Sequence, residues 1–171
     1  MTIARTPVRS AIAFRRATED DVPFLREVYA TTREEELRSV DWSAERKAAF
    51  LDMQFAAQKT HYEEFYPASD FLVILLDERR IGRLYVHRGE ADIEVLDIAL
   101  LPEYRGRGIG RMLLEEILDE GRATGRNVRI YVEHFNPARR LYDRLGFRHL
   151  DTNGVYHLME WHAGAAGPSS R

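Results

Sequence analysis

The stretch from Ile98 to Arg111 constrains the fold more than any other. It reads Ile98-Ala99-Leu100-Leu101-Pro102-Glu103-Tyr104-Arg105-Gly106-Arg107-Gly108-Ile109-Gly110-Arg111. An apolar run of strand character enters three alternating glycines, and helical spacing follows through Ile109, Met112, Leu113 and Ile117. A strand that turns through glycines directly into a helix presents the helix's first backbone N–H groups to whatever lies above the turn. Those groups lack partners within the helix and carry partial positive charge. Glycines let a ligand approach them closely. Arg105, Arg107 and Arg111 add charge of the same sign. The stretch therefore predicts a βα unit built to hold a phosphate or pyrophosphate.

The flanking sequence places that unit in a larger pattern. Ile12 to Arg15 reads as a first strand. Thr18 caps a helix with Glu19, Asp20 and Asp21 in its first turn and Val22, Leu25, Val28 and Tyr29 on its apolar side. Ser43 caps a second helix carrying Phe50, Leu51 and Phe55, which either runs on through Tyr62 and Phe65 or breaks near Thr60. Three strand-like runs follow, Phe71 to Leu76, Ile81 to Val86 and Ile93 to Leu101, joined by turns short enough to make an antiparallel meander. After the glycine loop, the helix from Ile109 ends between Gly121 and Gly125, and Val128 to Val132 is a further strand. Asn136 caps the next helix with Pro137 in its first position and Gly146 as its stop. Two strands near Phe147 to Leu150 and Val155 to Trp161 complete the order β-α-α-β-β-β-α-β-α-β-β. The fold class is α/β in composition (α+β): a mixed, mostly antiparallel sheet flanked by helices. The expected organisation is one domain over residues 1–163 and a flexible tail over 164–171, which is small and polar.

Composition removes several functions. The 171 residues include no cysteine, which excludes disulfides, thiolate metal sites and a cysteine nucleophile. Twenty-five basic against 28 acidic residues leave a formal charge of −3, without the basic excess of a dedicated nucleic-acid binder. The longest apolar run, Phe71 to Leu76, is six residues, whereas a spanning helix needs roughly 20. The expectation is a soluble cytoplasmic protein with neither nucleic acid nor membrane as partner. His61, His87, His134, His149, His157 and His162 show no metal-ligand spacing, so no metal is expected.

The glycine loop matches one of three known phosphate-binding patterns. The P-loop GxxxxGK[ST] is absent, and Gly106, Gly108 and Gly110 are spaced GxGxG rather than GxGxxG. The pattern R-x-x-G-x-G is met by Arg105, Gly108 and Gly110. At these residues the chain resembles the GCN5-related N-acetyltransferase (GNAT) superfamily, whose acyl-CoA motif is Q/R-x-x-G-x-G/A. A second block, Asn136-Pro137-Ala138-Arg139-Arg140-Leu141-Tyr142-Asp143-Arg144-Leu145-Gly146-Phe147, is similar to that family's N-x-x-A-x-x-x-Y-x-x-x-G-F stretch. The strong resemblance covers about Ile93 to Phe147, and Val22 to Tyr66 carries no matching motif.

The resemblance implies a strand splayed from its parallel neighbour, with the pantetheine arm of acetyl-CoA paired to backbone at Ile98, Ala99 and Leu100. It implies pyrophosphate binding by N–H groups of Arg105, Gly106, Arg107, Gly108, Ile109, Gly110 and Arg111, with Asn136 touching the cofactor arm. A backbone N–H near Ala99 or Leu100 would polarise the thioester carbonyl. Tyr142 matches the tyrosine that protonates the leaving thiolate, although its apolar helical stripe also suits plain packing. Glu94 stands where the histone acetyltransferase branch has its base. Asp92 shares its face by strand alternation, and Asp97 lies on the other. Arg139, Arg140 and Arg144 suit a solvated face, and the resemblance also allows one of them to meet the 3′-phosphate of CoA. The acceptor side falls to the early helical region, where Tyr62, Phe65, Tyr66, Trp42 and the acidic Glu34, Glu35 and Glu36 are the candidates. The implied reaction is transfer of acetyl from acetyl-CoA to a primary amine, on a small molecule or a peptide, by direct attack in a ternary complex. The competing reading is a module that binds acyl-CoA without turnover. A homodimer is compatible with the exposed sheet edges.

Overall fold

A computed structural model describes residues 11–164. Residues 165–171, most of the expected tail, lie outside it. The described residues form seven strands and four α-helices: β1 Ile12–Arg16, α1 Val22–Arg38, α2 Ala44–Phe65, β2 Asp70–Leu76, β3 Arg79–Arg88, β4 Asp92–Leu100, α3 Ile109–Thr124, β5 Asn127–Glu133, α4 Arg139–Leu145, β6 Arg148–Asn153 and β7 Tyr156–Trp161. Hydrogen-bonded neighbours run β1-β2-β3-β4-β5-β7-β6, a mixed sheet in which β4 and β5 are parallel. The expected element order and fold class hold. The described residues divide into two compact units, 11–85 with 98–106, and 86–97 with 107–164.

In the first unit, β1 and β2 pair antiparallel from Ile12↔Leu76 to Arg16↔Leu72. Asp77 and Glu78 join β2 to β3 with φ of 47° and 64°, the pair of left-handed residues that a two-residue hairpin turn demands. The start of α1 is fixed by a buried carboxylate. Asp21 accepts the Thr18 N–H at 2.9 Å and two guanidinium bonds from Arg15 at 2.6 and 2.7 Å, with Arg80 at 3.3 Å. The Arg15 hydrogen bonds, with Thr18 and Arg80 adding to them, hold the Asp21 carboxyl far below the usual carboxylate range despite its burial. Ser43 caps α2 by accepting the Arg46 N–H, and α2 continues unbroken past Thr60. Phe24, Leu25, Val28, Tyr29, Phe55, Val73, Ala99 and Leu101 make the core. Gly82 is there for space: a Cβ on it would lie 2.2 Å from the Ala99 carbonyl oxygen.

In the second unit, the parallel ladder couples Asp92–Val95 of β4 to Asn127–Ile130 of β5, and β7 pairs antiparallel along β5. Helix α3 packs through Gly121, whose virtual Cβ meets Val128 and Trp161 side chains at 3.1 Å. Gly121 therefore lies inside α3 as a contact residue, and Gly125, left-handed at φ 68°, ends the helix.

Candidate active site

Helix α3 opens as the glycine pattern predicts. Gly108 is its N-cap at φ +81°, and the first backbone bond into the cap runs from Met112 N–H to the Gly108 carbonyl, 3.1 Å. The N–H groups of Ile109, Gly110 and Arg111 thus precede the first such bond and point out of the helix end. A Cβ placed on Gly106, Gly108 or Gly110 would meet nothing within 4 Å. Gly106 and Gly108 need glycine for their positive φ, at 69° and 81°, whereas neither space nor backbone demands it of Gly110. The protein has left open the volume over these donors, which suits a pyrophosphate.

The arginines play a smaller part than the sequence suggests. Arg105 turns back on its own unit, donating from Nε to the Leu100 carbonyl at 2.8 Å and from Nη2 to Thr31 Oγ1 at 3.0 Å. It anchors the end of β4, the residues expected to line a pantetheine arm, to α1. Arg111 pairs with Glu115 at 2.9 Å. Arg105 and Arg111 are thus engaged within the chain, and the open backbone donors at the start of α3 add their own positive charge to the loop.

Tyr142 lies on α4, 4% exposed, with its ring 5.9 Å from that of Phe147. Its hydroxyl has no hydrogen-bond partner among the described residues. Burial, with the negative field of Asp97, pushes that hydroxyl well above the ordinary tyrosine range, so it stays protonated at neutral pH. A protonated hydroxyl without a protein acceptor is equipped to donate. Asn136 differs from expectation. Its Oδ1 accepts the Ala138 N–H at 2.9 Å, but α4 begins only at Arg139, with Ala138 as N-cap. Asn136 and Pro137 form the turn before the helix, because the chain leaving β5 reverses direction before it can coil.

Alternation on the parallel ladder sorts the acids. Ile93 and Val95 pair with Val128 and Ile130, all buried. Val128 touches α3, so this face is the helix side. Glu94 pairs with Arg129 on the opposite face, and Glu94 Oε2 is buried with no hydrogen-bond partner. Arg129 is bound to Glu160 at 2.5 Å and lies 3.4 Å from Asp92. Glu94 adds to the field that raises the Arg129 guanidinium further, after the Glu160 hydrogen bond and Asp92. Asp92 is thus tied to a cation. Asp97 acts on Tyr142 from the helix side, as its parity predicts.

On the acceptor side, Tyr62 stacks edge-on against Tyr85, and Tyr66 and Phe65 flank His61. Trp42 is committed elsewhere, against Phe50 and under Arg46. Glu36 pairs with Arg33. Arg139 lies 3.5 Å from the His157 ring, while Arg140 and Arg144 are exposed.

Two groupings escape sequence reasoning. Arg83, 2% exposed, is buried among aromatic rings; its one visible signal was a charge inside the apolar run Ile81 to Val86. His134, His149 and His157 gather at the β6–β7 hairpin, with ring centroids 3.9 and 4.8 Å from His157. Separations of 15 and 8 residues give no local spacing that would betray them. Among the described residues no group of three or more His, Asp or Glu is arranged to hold a metal ion, and no helix is long and apolar enough to cross a membrane.

Comparison with known proteins adds a line of support independent of this geometry. The model of the acetyltransferase (GNAT) family matches residues 25–147. Mycothiol acetyltransferase of Corynebacterium glutamicum is 34% identical over 119 residues, 68% of this chain and 40% of that protein. The chain thus spans well under half the length of that relative. The [ribosomal protein bS18]-alanine N-acetyltransferase of Haemophilus influenzae is 26% identical over 117 residues, 68% of this chain and 78% of that protein. Among solved structures, the PaiA N-acetyltransferase of Thermoplasma acidophilum, in complex with coenzyme A, superposes with a TM-score of 0.67 at 25% identity, covering 88% of this chain and 98% of that one.

Proposed function

Because this chain belongs to the acetyltransferase (GNAT) family, we propose that it transfers acetyl from acetyl-CoA to a primary amine by direct attack in a ternary complex. The observation that carries the proposal is the open start of α3, where three glycines leave room above unpaired N–H donors. Acetyl-CoA supplies an activated thioester. Backbone N–H groups from Gly106 to Arg111 hold its pyrophosphate, that of Arg105 being given to the Pro102 carbonyl at 3.2 Å; the main chain at Ile98, Ala99 and Leu100 lines its arm, and Asn136 is the side chain assigned to touch it. The acceptor is a small molecule or a peptide amine; the relatives named as a mycothiol acetyltransferase and as a ribosomal-protein alanine N-acetyltransferase illustrate both kinds.

An amine attacks only when neutral. Glu94, half-buried with one oxygen unpartnered, takes the ammonium proton directly or through water. As the carbon–sulfur bond breaks, Tyr142 passes its proton to the departing sulfur, the nitrogen of the new amide sheds its surplus proton and so restores Tyr142 through solvent, and the proton Glu94 gained is released as the one net proton of the reaction. With no cysteine in the chain, acetyl has no thiol on which to pause. Residues 1–163 are proposed to act as one acetyltransferase domain, in the cytoplasm, without a metal.

Calorimetric titration with acetyl-CoA and thiol release over a panel of amines test the proposal. Binding at micromolar concentration with release for at least one amine is expected. Binding with no release across the panel would make the protein an acyl-CoA-binding module, and no binding would remove the reading altogether. Glu94→Gln should lower the rate and alter its dependence on pH; an unchanged profile would take Glu94 out of the mechanism.

A further inference from the structure

In the first unit a cleft of about 140 Å³ opens between the start of α1, the second half of α2 and strands β2 and β3. That is roughly ten times the space one water needs, and enough for a small organic group. Phe55, Tyr62, Phe71 and Tyr85 form its walls. Tyr85 meets Phe71 and Tyr62 edge to face, with centroids 5.0 and 5.7 Å away, so the wall is a rigid interlocked surface. The buried Arg83 also lines the cleft. Its Nη2 donates to Gln58 Oε1 at 2.8 Å, and its guanidinium carbon stands 5.0 Å from the Tyr85 centroid and 5.8 Å from that of Tyr29. At the mouth, Lys59 is held between Glu63 at 2.6 Å and Glu19 at 3.3 Å.

These features select a guest. Arg83 already lies against the Tyr85 ring of the wall, and its charge disfavours a second cation in a poorly solvated place. A purely apolar guest would further desolvate the guanidinium without giving it a bond. A carboxylate meets a guanidinium through two parallel N–H bonds, and the aromatic walls favour an apolar body behind it. We propose that this cleft is a carboxylate-recognition site in which Arg83 is the recognising group, so that the preferred acceptors are amines carrying a carboxylate on a small apolar body, as amino acids do. The proposal rests on the acetyl-transfer reading for the source of that carboxylate; a free carboxylate effector would have the same chemistry.

The test pairs acceptors that differ only in the carboxylate, L-leucine against isoamylamine and L-phenylalanine against phenethylamine, with acetyl-CoA as donor. The carboxylate member of each pair should show kcat/KM about 10- to 100-fold higher, the range of a charge-assisted bond. Gln58→Glu places a built-in carboxylate where Gln58 now meets Arg83, with little change in shape. It should bring the ratio close to one by raising KM for the carboxylate acceptors, with no loss in Tm. Arg83→Gln should collapse the ratio as well, and the Gln58 variant keeps the test valid should Arg83→Gln fail to fold. Calorimetry with N-acetyl-L-leucine and its methyl ester reads the same site without turnover. Turnover of amines with no carboxylate preference would overturn the inference and leave acetyl transfer standing. A preference that survives Gln58→Glu would also overturn it, since the carboxylate would then be read elsewhere. Binding of N-acetyl-L-leucine but not its ester, lost in Gln58→Glu, with no thiol release from any amine, would uphold the site as one for a free carboxylate while acetyl transfer failed.

Discussion

Replacing Tyr142 by phenylalanine separates packing from chemistry because the two respond with opposite sign. The ring is 4% exposed and packs against Phe147, and phenylalanine keeps that contact. The hydroxyl makes no hydrogen bond within the described residues and is not sealed from solvent, so phenylalanine breaks no bond and gives up little hydration. Its removal should therefore leave stability unchanged or raise it by up to about 1 kcal/mol, which for a chain of this size is a Tm rise of roughly 2–4 °C. The rate should move the other way. Loss of a positioned proton donor lowers kcat by about 10²–10³, equivalent to roughly 3–4 kcal/mol of barrier. Thermal melting and thiol release at saturating acetyl-CoA and amine measure both. The hydroxyl's proton also has a signature in pH. Because Tyr142 in the fold holds its proton above the ordinary value of 10, the unfolded chain loses it first, so stability declines as pH rises past about 10. The variant should lose that part of the decline. A variant with kcat within about twofold of the parent, or with Tm lower by about 5 °C or more, would refute the reasoning: the hydroxyl would be either idle or structural.

Three further outcomes follow from described geometry. Asp21→Asn breaks a buried carboxylate's bonds to Arg15, itself 42% exposed, and should cost about 2–4 kcal/mol at neutral pH. Since the folded carboxyl titrates below its unfolded value of about 3.8, that contribution is present above pH 4 and fades below it, so the melting difference between parent and variant should shrink at pH 2–3. Gly82→Ala forces a Cβ to within 2.2 Å of a backbone oxygen and should lower Tm by about 5 °C or more, seen in a thermal melt. At the loop, Gly108→Ala strains a +81° φ and should weaken acetyl-CoA binding about tenfold, while Gly110→Ala, unstrained and in open space, should keep affinity within about threefold, both read by calorimetry.

Local chemistry made much of this legible. Ser43 acts through its own hydroxyl on the turn that follows it, the glycine-spaced loop, Gly125 and Gly146 through their own backbone, and each did what its residue type dictates. The parity of Glu94 and Asp97 followed from alternation alone. What stayed hidden depends on partners distant in sequence. Arg105 reads as a ligand-facing charge until Thr31, 74 residues away, takes its donor. Arg83 meets Gln58 across 25 residues, and no periodicity announces a buried guanidinium. Asn136 was misjudged by two residues because cap preference does not reveal how tightly the chain must turn after β5.

The imidazole trio that His149 and His157 of the β6–β7 hairpin form with His134, just after β5, bears on behaviour in mild acid. Burial, aided by His134, Arg139 and His149, keeps His157 below the ordinary imidazole value of 6.5, so the unfolded hairpin takes up a proton before the folded one does. Acidification through pH 6 should therefore weaken this one ribbon, visible as faster amide exchange from Arg148 to Trp161, well before Asp21 begins to lose its charge.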